Sequence, residues 1–474
     1  MHKTIKSRQL RHSILVTSFA LFAAIPAANS FASDPVVLTF STVGDSRQDI
    51  SAPDATSIIS SQVGAGTCYY PNTAGYLSNP GLTGQDCTWL QNTTAWSRII
   101  RTIQSQKANL LFFNGDMIMG YGKADVPVTR TSTGASETAI SSPTISQILN
   151  SDLLNFYQQY SFWRGMVAPM METGSYVVPV PGNHETQCKR CGKASQVQNE
   201  NAWRNMMGDL IIDETRLNNL LAPTGLSLNT STWNPTTNVP SSTAVIGGVT
   251  NPDSISTSQQ QLSYSFDIGP NHFAVINTDP VGNDGHAPYN WLDQDLTAAV
   301  SNGATHLFVF GHKPAFYYYY AGSNVTGTGL TTSSASSLYL TDATAATNFW
   351  NVISKHNATY FAGHEHIYNV SQPVDNVTPT GGTAYQVIVG AGGSPFDDLV
   401  SSTTSPETIG TSTSEITGTV KALESDRMYS WATVSIHQSG AVTMTTYGFD
   451  PAITNGSMNA ALKTLGTFTL PTAK

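Results

Sequence analysis

Charged residues are scarce in this chain. Asp, Glu, Lys and Arg make up 11% of the 474 residues, and 31 acidic groups face 22 basic ones, a formal net charge of -9. That balance argues against nucleic acid as a main partner, because phosphate backbones are met by clustered Lys and Arg. Low charge combined with abundant Ser, Thr, Asn and Gly suits an exported globular chain better than a disordered one. Cysteine is also rare. There are four, and no second C-x-x-C accompanies Cys188-Lys189-Arg190-Cys191, which counts against a structural zinc site. Two local disulfides, Cys68 with Cys87 and Cys188 with Cys191, are expected in an oxidising compartment. A thioredoxin-like redox role for the C-x-x-C is the weaker alternative.

Long hydrophobic runs are missing too. The apolar segment at residues 14–25 is well short of the roughly 20 residues a spanning helix needs. Lys3, Lys6, Arg8 and Arg11 precede it and Ser30-Phe31-Ala32 follows, so residues 1–32 read as an export signal peptide with the mature chain starting near Ser33. No Cys follows the segment, which argues against a lipid anchor. Without it, 22 less four basic residues leaves 18 against 31 acidic, a formal charge of about -13. The expected location is secreted or periplasmic, with no membrane span after signal cleavage. No internal repeat or linker appears, so residues 33–474 are expected to form a single domain with surface insertions near 51–90, 126–142 and 224–260. The sequence does not settle oligomeric state.

What the chain does contain is a recurring pattern. Residues 177–185, V-V-P-V-P-G-N-H-E, form a short apolar run, a glycine, then Asn183, His184 and Glu185. The same grammar recurs at Gly44-Asp45, Gly115-Asp116, Gly311-His312 and Gly363-His364-Glu365-His366, each behind an apolar stretch. A β-like run ending in Gly and then a polar group places that group at a strand's carboxyl end. Five such units point to one site with several contributors. Helical spacing is expected over residues 94–107 (Trp96, Ile99, Ile100, Ile103), over 148–171, and near 202–210, 291–300 and 349–356. The aromatic stripe Phe156, Tyr157, Tyr160, Phe162 and Trp163 is read as core, whereas the tyrosine run 317–320 either packs under a loop or lines a substrate mouth. Residues 261–267 and 272–277 read as a hairpin around Gly269-Pro270, and 385–389, 431–437 and 441–447 as strands. The fold class expected is α/β: a four-layer α/β/β/α sandwich of two mixed sheets flanked by helices.

Aspartate, asparagine and histidine without cysteine form a ligand set for divalent zinc, manganese or iron. Such ions lower the pKa of bound water toward neutrality. Two ions about 3.5–4 Å apart would also clamp a phosphoryl group, and a carboxylate such as Asp116 could bridge them. Gly363-His364-Glu365-His366 is not the H-E-x-x-H helix of zinc proteases, since its histidines are two residues apart and a strand precedes them.

In order, G-D, G-D, G-N-H-E, G-H and G-H-x-H resemble the calcineurin-like metallophosphoesterases, and the set spans Asp45 to His366. Leu262-Ser263-Tyr264-Ser265-Phe266-Asp267, Trp291-Leu292-Asp293-Gln294-Asp295-Leu296, Gly363-His364-Glu365-His366-Ile367-Tyr368 and Gly390-Ala391-Gly392-Gly393 are similar to the purple acid phosphatase branch, without room for an amino-terminal β-domain. The resemblance implies that Asp116 bridges two metals, that Asn183, His312 and His364 complete one site, and that Asp45 and His366 belong to the other. It implies that His184 contacts a phosphorylated small-molecule substrate, with Glu185 as its orienting partner, and that the attacking group is a metal-bound hydroxide. Two positions depart from the pattern. Many relatives carry Asp-x-His in the first motif, where this chain has Asp45-Ser46-Arg47, and a guanidinium cannot ligate a metal. Met119 stands where purple acid phosphatases place a tyrosine, so no iron-tyrosinate colour is expected. For Arg47 the readings are a water-completed first site, a single-metal enzyme, a phosphate-binding role beside a weaker first site, or a surface residue or ion pair with Asp49.

Overall fold

Phenylalanines on two sheets hold the molecule together. The computed structural model describes residues 34–47, 84–120, 122–130, 137–189, 191–230, 239–315, 337–374, 384–394, 419–426, 428–449 and 461–474. The signal segment 1–32, Cys68, Asp49, the tyrosine run 317–320 and most of the 51–90 insertion lie outside the described residues. Pro35–Lys474 forms one compact unit.

The main elements in chain order are β1 (Val36–Val43), α1 (Gly84–Ser105), β2 (Leu110–Asn114), α2 (Asp152–Glu172), β3 (Tyr176–Val180), the single turn α3 (Asn183–Thr186) and α4 (Val197–Met207). They continue with β4 (Leu228–Asn229), β5 (Tyr264–Ile268), β6 (Asn271–Val275), α5 (Tyr289–Ser301), β7 (His306–Phe310), α6 (Ala343–His356) and β8 (Thr359–Ala362). The last are β9 (Tyr368–Val374), β10 (Tyr385–Val389), β11 (Thr419–Asp426), β12 (Tyr429–His437), β13 (Val442–Phe449) and β14 (Lys463–Thr469). One sheet runs β14-β13-β12-β1-β2-β3 and the other β11-β9-β10-β8-β7-β6-β5-β4. Both are mixed. β1, β2 and β3 are parallel neighbours in the first, and β6, β7, β8 and β10 in the second, with antiparallel strands outside them.

Side chains alternate across a strand, and β2 shows the consequence. Phe112 points to the other sheet, where it stacks on Phe310 with ring centroids 3.8 Å apart, while Phe113 points outward to Trp96 of α1 and Trp163 of α2. Phe40 of β1 meets Phe273 and Phe308 edge-on in the same interface. On the far face, Phe349 of α6 packs edge-on against Tyr360 of β8, within a cluster that includes Trp291, Leu296 and Trp350. The order helix, sheet, sheet, helix is therefore the expected α/β/β/α sandwich.

Several boundaries differ from those read in the sequence. α1 begins ten residues before Thr94, at Gly84, in a stretch whose Gly, Gln and Asp disguise it. The helix expected over 148–171 breaks at Ser151, whose hydroxyl caps α2 by accepting from Leu154 N. Phe156, Tyr160 and Trp163 are buried as expected, but Phe162 is 46% exposed. The 224–260 insertion is not all loop, since Leu228–Asn229 joins the edge of the second sheet. Asn92, in an Asn-x-Thr triplet, is buried and donates to the Arg47 carbonyl at 2.8 Å. It is not presented for glycosylation. Among the described residues no helix is long and apolar enough to cross a membrane.

Candidate metal centre

All five strand-Gly units deliver their polar groups to one place. Asp45 follows β1, Asp116 follows β2, Asn183 opens the turn after β3, and His312 and His364 follow β7 and β8, so the contributors sit at parallel-strand carboxyl ends of both sheets. Their loops are tied by backbone bonds: Asp45 N donates to Gly115 O (3.0 Å), Arg47 N to Asp116 O (3.0 Å) and Gly363 N to His312 O (2.9 Å). Gly392 and Ser394, after β10, donate to the Gly44 and Asp45 carbonyls (2.9 and 3.0 Å), which gives the Gly-Ala-Gly-Gly stretch its role.

The approach is close enough to demand glycine. A Cβ on Gly115, which has φ of +82°, would fall 2.6 Å from His312 Nδ1, and one on Gly182 would strike the Asp116 backbone nitrogen. The residues after three of these glycines take on the strain themselves. Asp45, Asp116 and His364 adopt φ of 61°, 56° and 70°, left-handed values that side chains other than Gly enter at a cost of about 1–3 kcal/mol each.

Asp116 divides the centre in two. On one side His312 Nε2 lies 3.1 Å from Asp116 Oδ1, 2.9 Å from Asn183 Oδ1 and 2.9 Å from His364 Nδ1. His312 Nδ1 donates to the Asn114 carbonyl at 2.7 Å, which fixes the ring and turns Nε2 inward. Candidate ligand atoms of Asp116, His312 and His364 all lie within 4.8 Å of one another. On the other side Asp116 Oδ2 accepts from Arg47 Nη1 at 2.8 Å. The same Nη1 lies 2.8 Å from His366 Nε2 and 3.5 Å from Asp45 Oδ1.

Electrostatics agree with a cation-binding role. Burial raises Asp45 above the usual carboxylate range. Burial acts on Asp116 in the same sense, but His312, His184 and Arg47 outweigh it and hold that carboxyl well below its usual value. Burial pushes His312 down, whereas Asp116, Asp45 and the Asn114 carbonyl carry it up to about 9, so the acceptors that would hold an ion hold a proton on this ring. Burial, then His312 and Lys313, keep His364 well below the ordinary histidine value, in the neutral form a ligand needs. Acceptors converge on His312 Nε2, and Asp45 Oδ1 is fully buried with no hydrogen-bond partner among the described residues. Both observations fit divalent zinc, manganese or iron, which take carboxylate, amide and imidazole ligands.

Two expectations are corrected in detail. Glu185 does not support the His184 ring. Its Oε2 accepts from Asp116 N (2.8 Å) and Gly182 N (2.7 Å), and its Oε1 from Met117 N (2.8 Å) and Ile118 N (3.0 Å), so it braces the loop carrying Asp116. Burial and the Asp116 charge push it up to about 7, and its four amide donors favour the ionised form. His184 is held instead by Nδ1, which donates to the Met119 carbonyl at 2.6 Å, leaving Nε2 toward Asp116 Oδ2 at 3.8 Å. Burial and Lys189 keep this ring well below the ordinary value, hence neutral. Arg47 is not a surface residue either, since its side chain is 13% exposed.

Sequence reasoning missed the lysines. Lys313 directly follows His312 and pairs with buried Asp279 at 2.6 Å, and Lys189 donates to Gln187 Oε1 at 3.0 Å. Burial, with Lys313 and Arg47 nearby, pushes Lys189 down to about 8. Lys189 sits inside the loop closed by the Cys188–Cys191 disulfide, which places the staple on the rim of the centre. The position after His312 was a signal for Lys313. Asp279 gave none, because no glycine marks its strand end.

Fold and cluster together define a four-layer α/β sandwich with a candidate metal centre at its strand ends. No protein-family model matches the sequence, and no curated protein does. Among solved structures the chain is similar to a purple acid phosphatase from yellow lupin (Lupinus luteus) seeds, at 13% identity and TM-score 0.45 over 92% of this chain and 53% of that one. It is similar to PhoD at 12% identity and TM-score 0.42, over 92% and 70%. A dimetal phosphatase from Danio rerio aligns at 11% identity and TM-score 0.34, over 92% and 99%. The chain spans about half the length of the lupin enzyme, 53%. At these identities and TM-scores the likeness carries no weight for the chemistry, which stands on the geometry of the centre.

Proposed function

We propose that this chain is an exported metal-dependent phosphoesterase that hydrolyses phosphate esters, phosphomonoesters ahead of diesters. The observation that carries this reading is the convergence of Asp116 Oδ1, Asn183 Oδ1 and His364 Nδ1 on His312 Nε2. The ordered motifs support placement among the calcineurin-like metallophosphoesterases, near the purple acid phosphatase branch but with a variant first motif. The Cys188–Cys191 disulfide suits a secreted or periplasmic location.

Asp116, Asn183, His312 and His364 would hold a divalent ion, which would supply Lewis acidity and lower the pKa of a water. The chain's own residues do the remaining work. Asp116 is kept ionised, and Glu185 fixes its loop through four backbone amides. His184 presents a neutral Nε2 beside Asp116 because its Nδ1 proton is committed to Met119 O. An arriving phosphoryl group adds negative charge that favours protonation at this Nε2, from which the proton passes to the leaving oxygen. Lys189 and Arg47 bring positive charge to the same region and favour an anionic substrate over a neutral one. Glu185 acts through the Asp116 loop and is a positioning residue.

The test uses purified protein with a chromogenic phosphomonoester and a diester, before and after chelation and metal return. Chelation is expected to abolish turnover and metal to restore it, and His184→Ala to lower kcat by roughly 10²–10⁴. Tightly bound metal without turnover across a broad ester panel would instead identify a binding module that keeps the fold.

A further inference from the structure

The geometry points to Arg47 as a built-in cation that takes the seat of a second ion, so that the centre binds one divalent ion per chain. This rests on the metal-dependent reading above. Asp116 presents Oδ1 to the cluster of Asn183, His312 and His364, and Oδ2 to a second group made by Asp45 Oδ1 and His366 Nε2. A carboxylate that straddles two groups of donors in this way is arranged for two positive centres. One position is surrounded by ligand atoms. In the other lies a single nitrogen, Arg47 Nη1, at 2.8 Å from Asp116 Oδ2, 2.8 Å from His366 Nε2 and 3.5 Å from Asp45 Oδ1.

These are the distances of a guanidinium nitrogen, not of a metal ion. Zinc sits roughly 2.0–2.2 Å from carboxylate and imidazole donors, whereas a charge-assisted N–H bond runs about 2.7–2.9 Å. Nη1 has two hydrogens. They account for the two contacts at 2.8 Å and leave Asp45 Oδ1 with Coulomb attraction from the guanidinium, which matches its burial without a hydrogen-bond partner among the described residues. His366 Nε2 must accept, because arginine stays protonated and has no acceptor; the His366 proton is therefore on Nδ1.

The arginine is anchored as well as attracted. Its backbone N–H donates to Asp116 O at 3.0 Å, and its carbonyl accepts from buried Asn92 Nδ2 at 2.8 Å. Swinging the side chain out would leave two carboxylates with no counter-charge on this side, a cost that grows with burial. Arg47 also changes the charge count. Asp45 and Asp116 with Arg47 and one divalent ion total +1, while two divalent ions without Arg47 would total +2.

The experiment counts metal by plasma mass spectrometry on the full chain after equilibration with Mn²⁺ or Zn²⁺ and removal of excess. The Mn²⁺-loaded protein is then examined by electron paramagnetic resonance. Wild type is expected to hold one ion per chain and to give the six-line spectrum of an isolated Mn²⁺. Arg47→His, which supplies a ligand, and Arg47→Ala, which clears the seat, are expected to rise toward two ions, with a spin-coupled spectrum in the histidine variant. Two ions in wild type, or folded variants of both kinds that stay at one, would overturn the assignment. No ion in wild type would remove the metal-dependent reading itself, a distinct failure. If neither variant folds, the wild-type count and spectrum decide the matter.

Discussion

Replacing Glu185 by Gln separates two accounts of the G-N-H-E motif. The carboxylate accepts four backbone N–H bonds, two on each oxygen, from Asp116, Gly182, Met117 and Ile118. Glutamine keeps one oxygen and turns the other into an NH₂, so either the Asp116 and Gly182 amides or the Met117 and Ile118 amides lose their acceptor and meet a donor. A buried donor without a partner costs about 1–3 kcal/mol. Two of them set the expected destabilisation at about 2–6 kcal/mol, read as a shift of the urea midpoint at unchanged slope. Asp116 holds a left-handed φ of 56° against strain, so a loosened loop is also expected to weaken metal affinity by at least tenfold, measured by competition with a chromogenic chelator. An ion-binding constant equal to wild type with only kcat reduced would show that Glu185 serves the His184 ring. A stability change under about 0.5 kcal/mol would refute the bracing of the Asp116 loop through these four amides.

Burial lowers the His272 pKa, but Asp295 and Asp267, bonded at 2.9 and 2.7 Å, raise it to about 9. A raised folded-state pKa stabilises fully below the unfolded value near 6.5 and loses that contribution as pH rises through 9, about 3 kcal/mol in all; His272→Gln is expected to flatten the slope of stability between those limits in urea titrations. Phe112→Ala removes a ring stacked at 3.8 Å on Phe310 between the sheets and is expected to cost about 3–5 kcal/mol in chemical denaturation, with metal stoichiometry unchanged.

Much of the centre was legible because its grammar is local. A buried strand, a glycine that permits close approach and a polar group next to it recur five times, and the structure brings Asp45, Asp116, Asn183, His312 and His364 together from two sheets. Tertiary partners were not legible. No spacing rule tells that Glu185 turns away from His184 to four amides, that Met119 contributes its carbonyl rather than its side chain, or that Arg47 inserts between Asp116 and His366. The lysines were missed for a similar reason, since Lys189 reaches the region through the folded-back Cys188–Cys191 loop. In the fold, β14 escaped notice because Lys463–Thr469 is mostly polar and half-exposed, with Gly466 in its middle. β9 carries Pro373, which argues against a strand in isolation. The inner strands, mostly apolar and buried, gave the clearest signal.

The central claim is that Asp116, Asn183, His312 and His364 hold a divalent ion. Anomalous diffraction from crystals grown with Zn²⁺ or Mn²⁺ tests it most directly. The account predicts one peak at roughly 2.0–2.2 Å from Asp116 Oδ1, Asn183 Oδ1, His312 Nε2 and His364 Nδ1. No peak within that cluster at saturating metal, or a peak held by other residues, would contradict it.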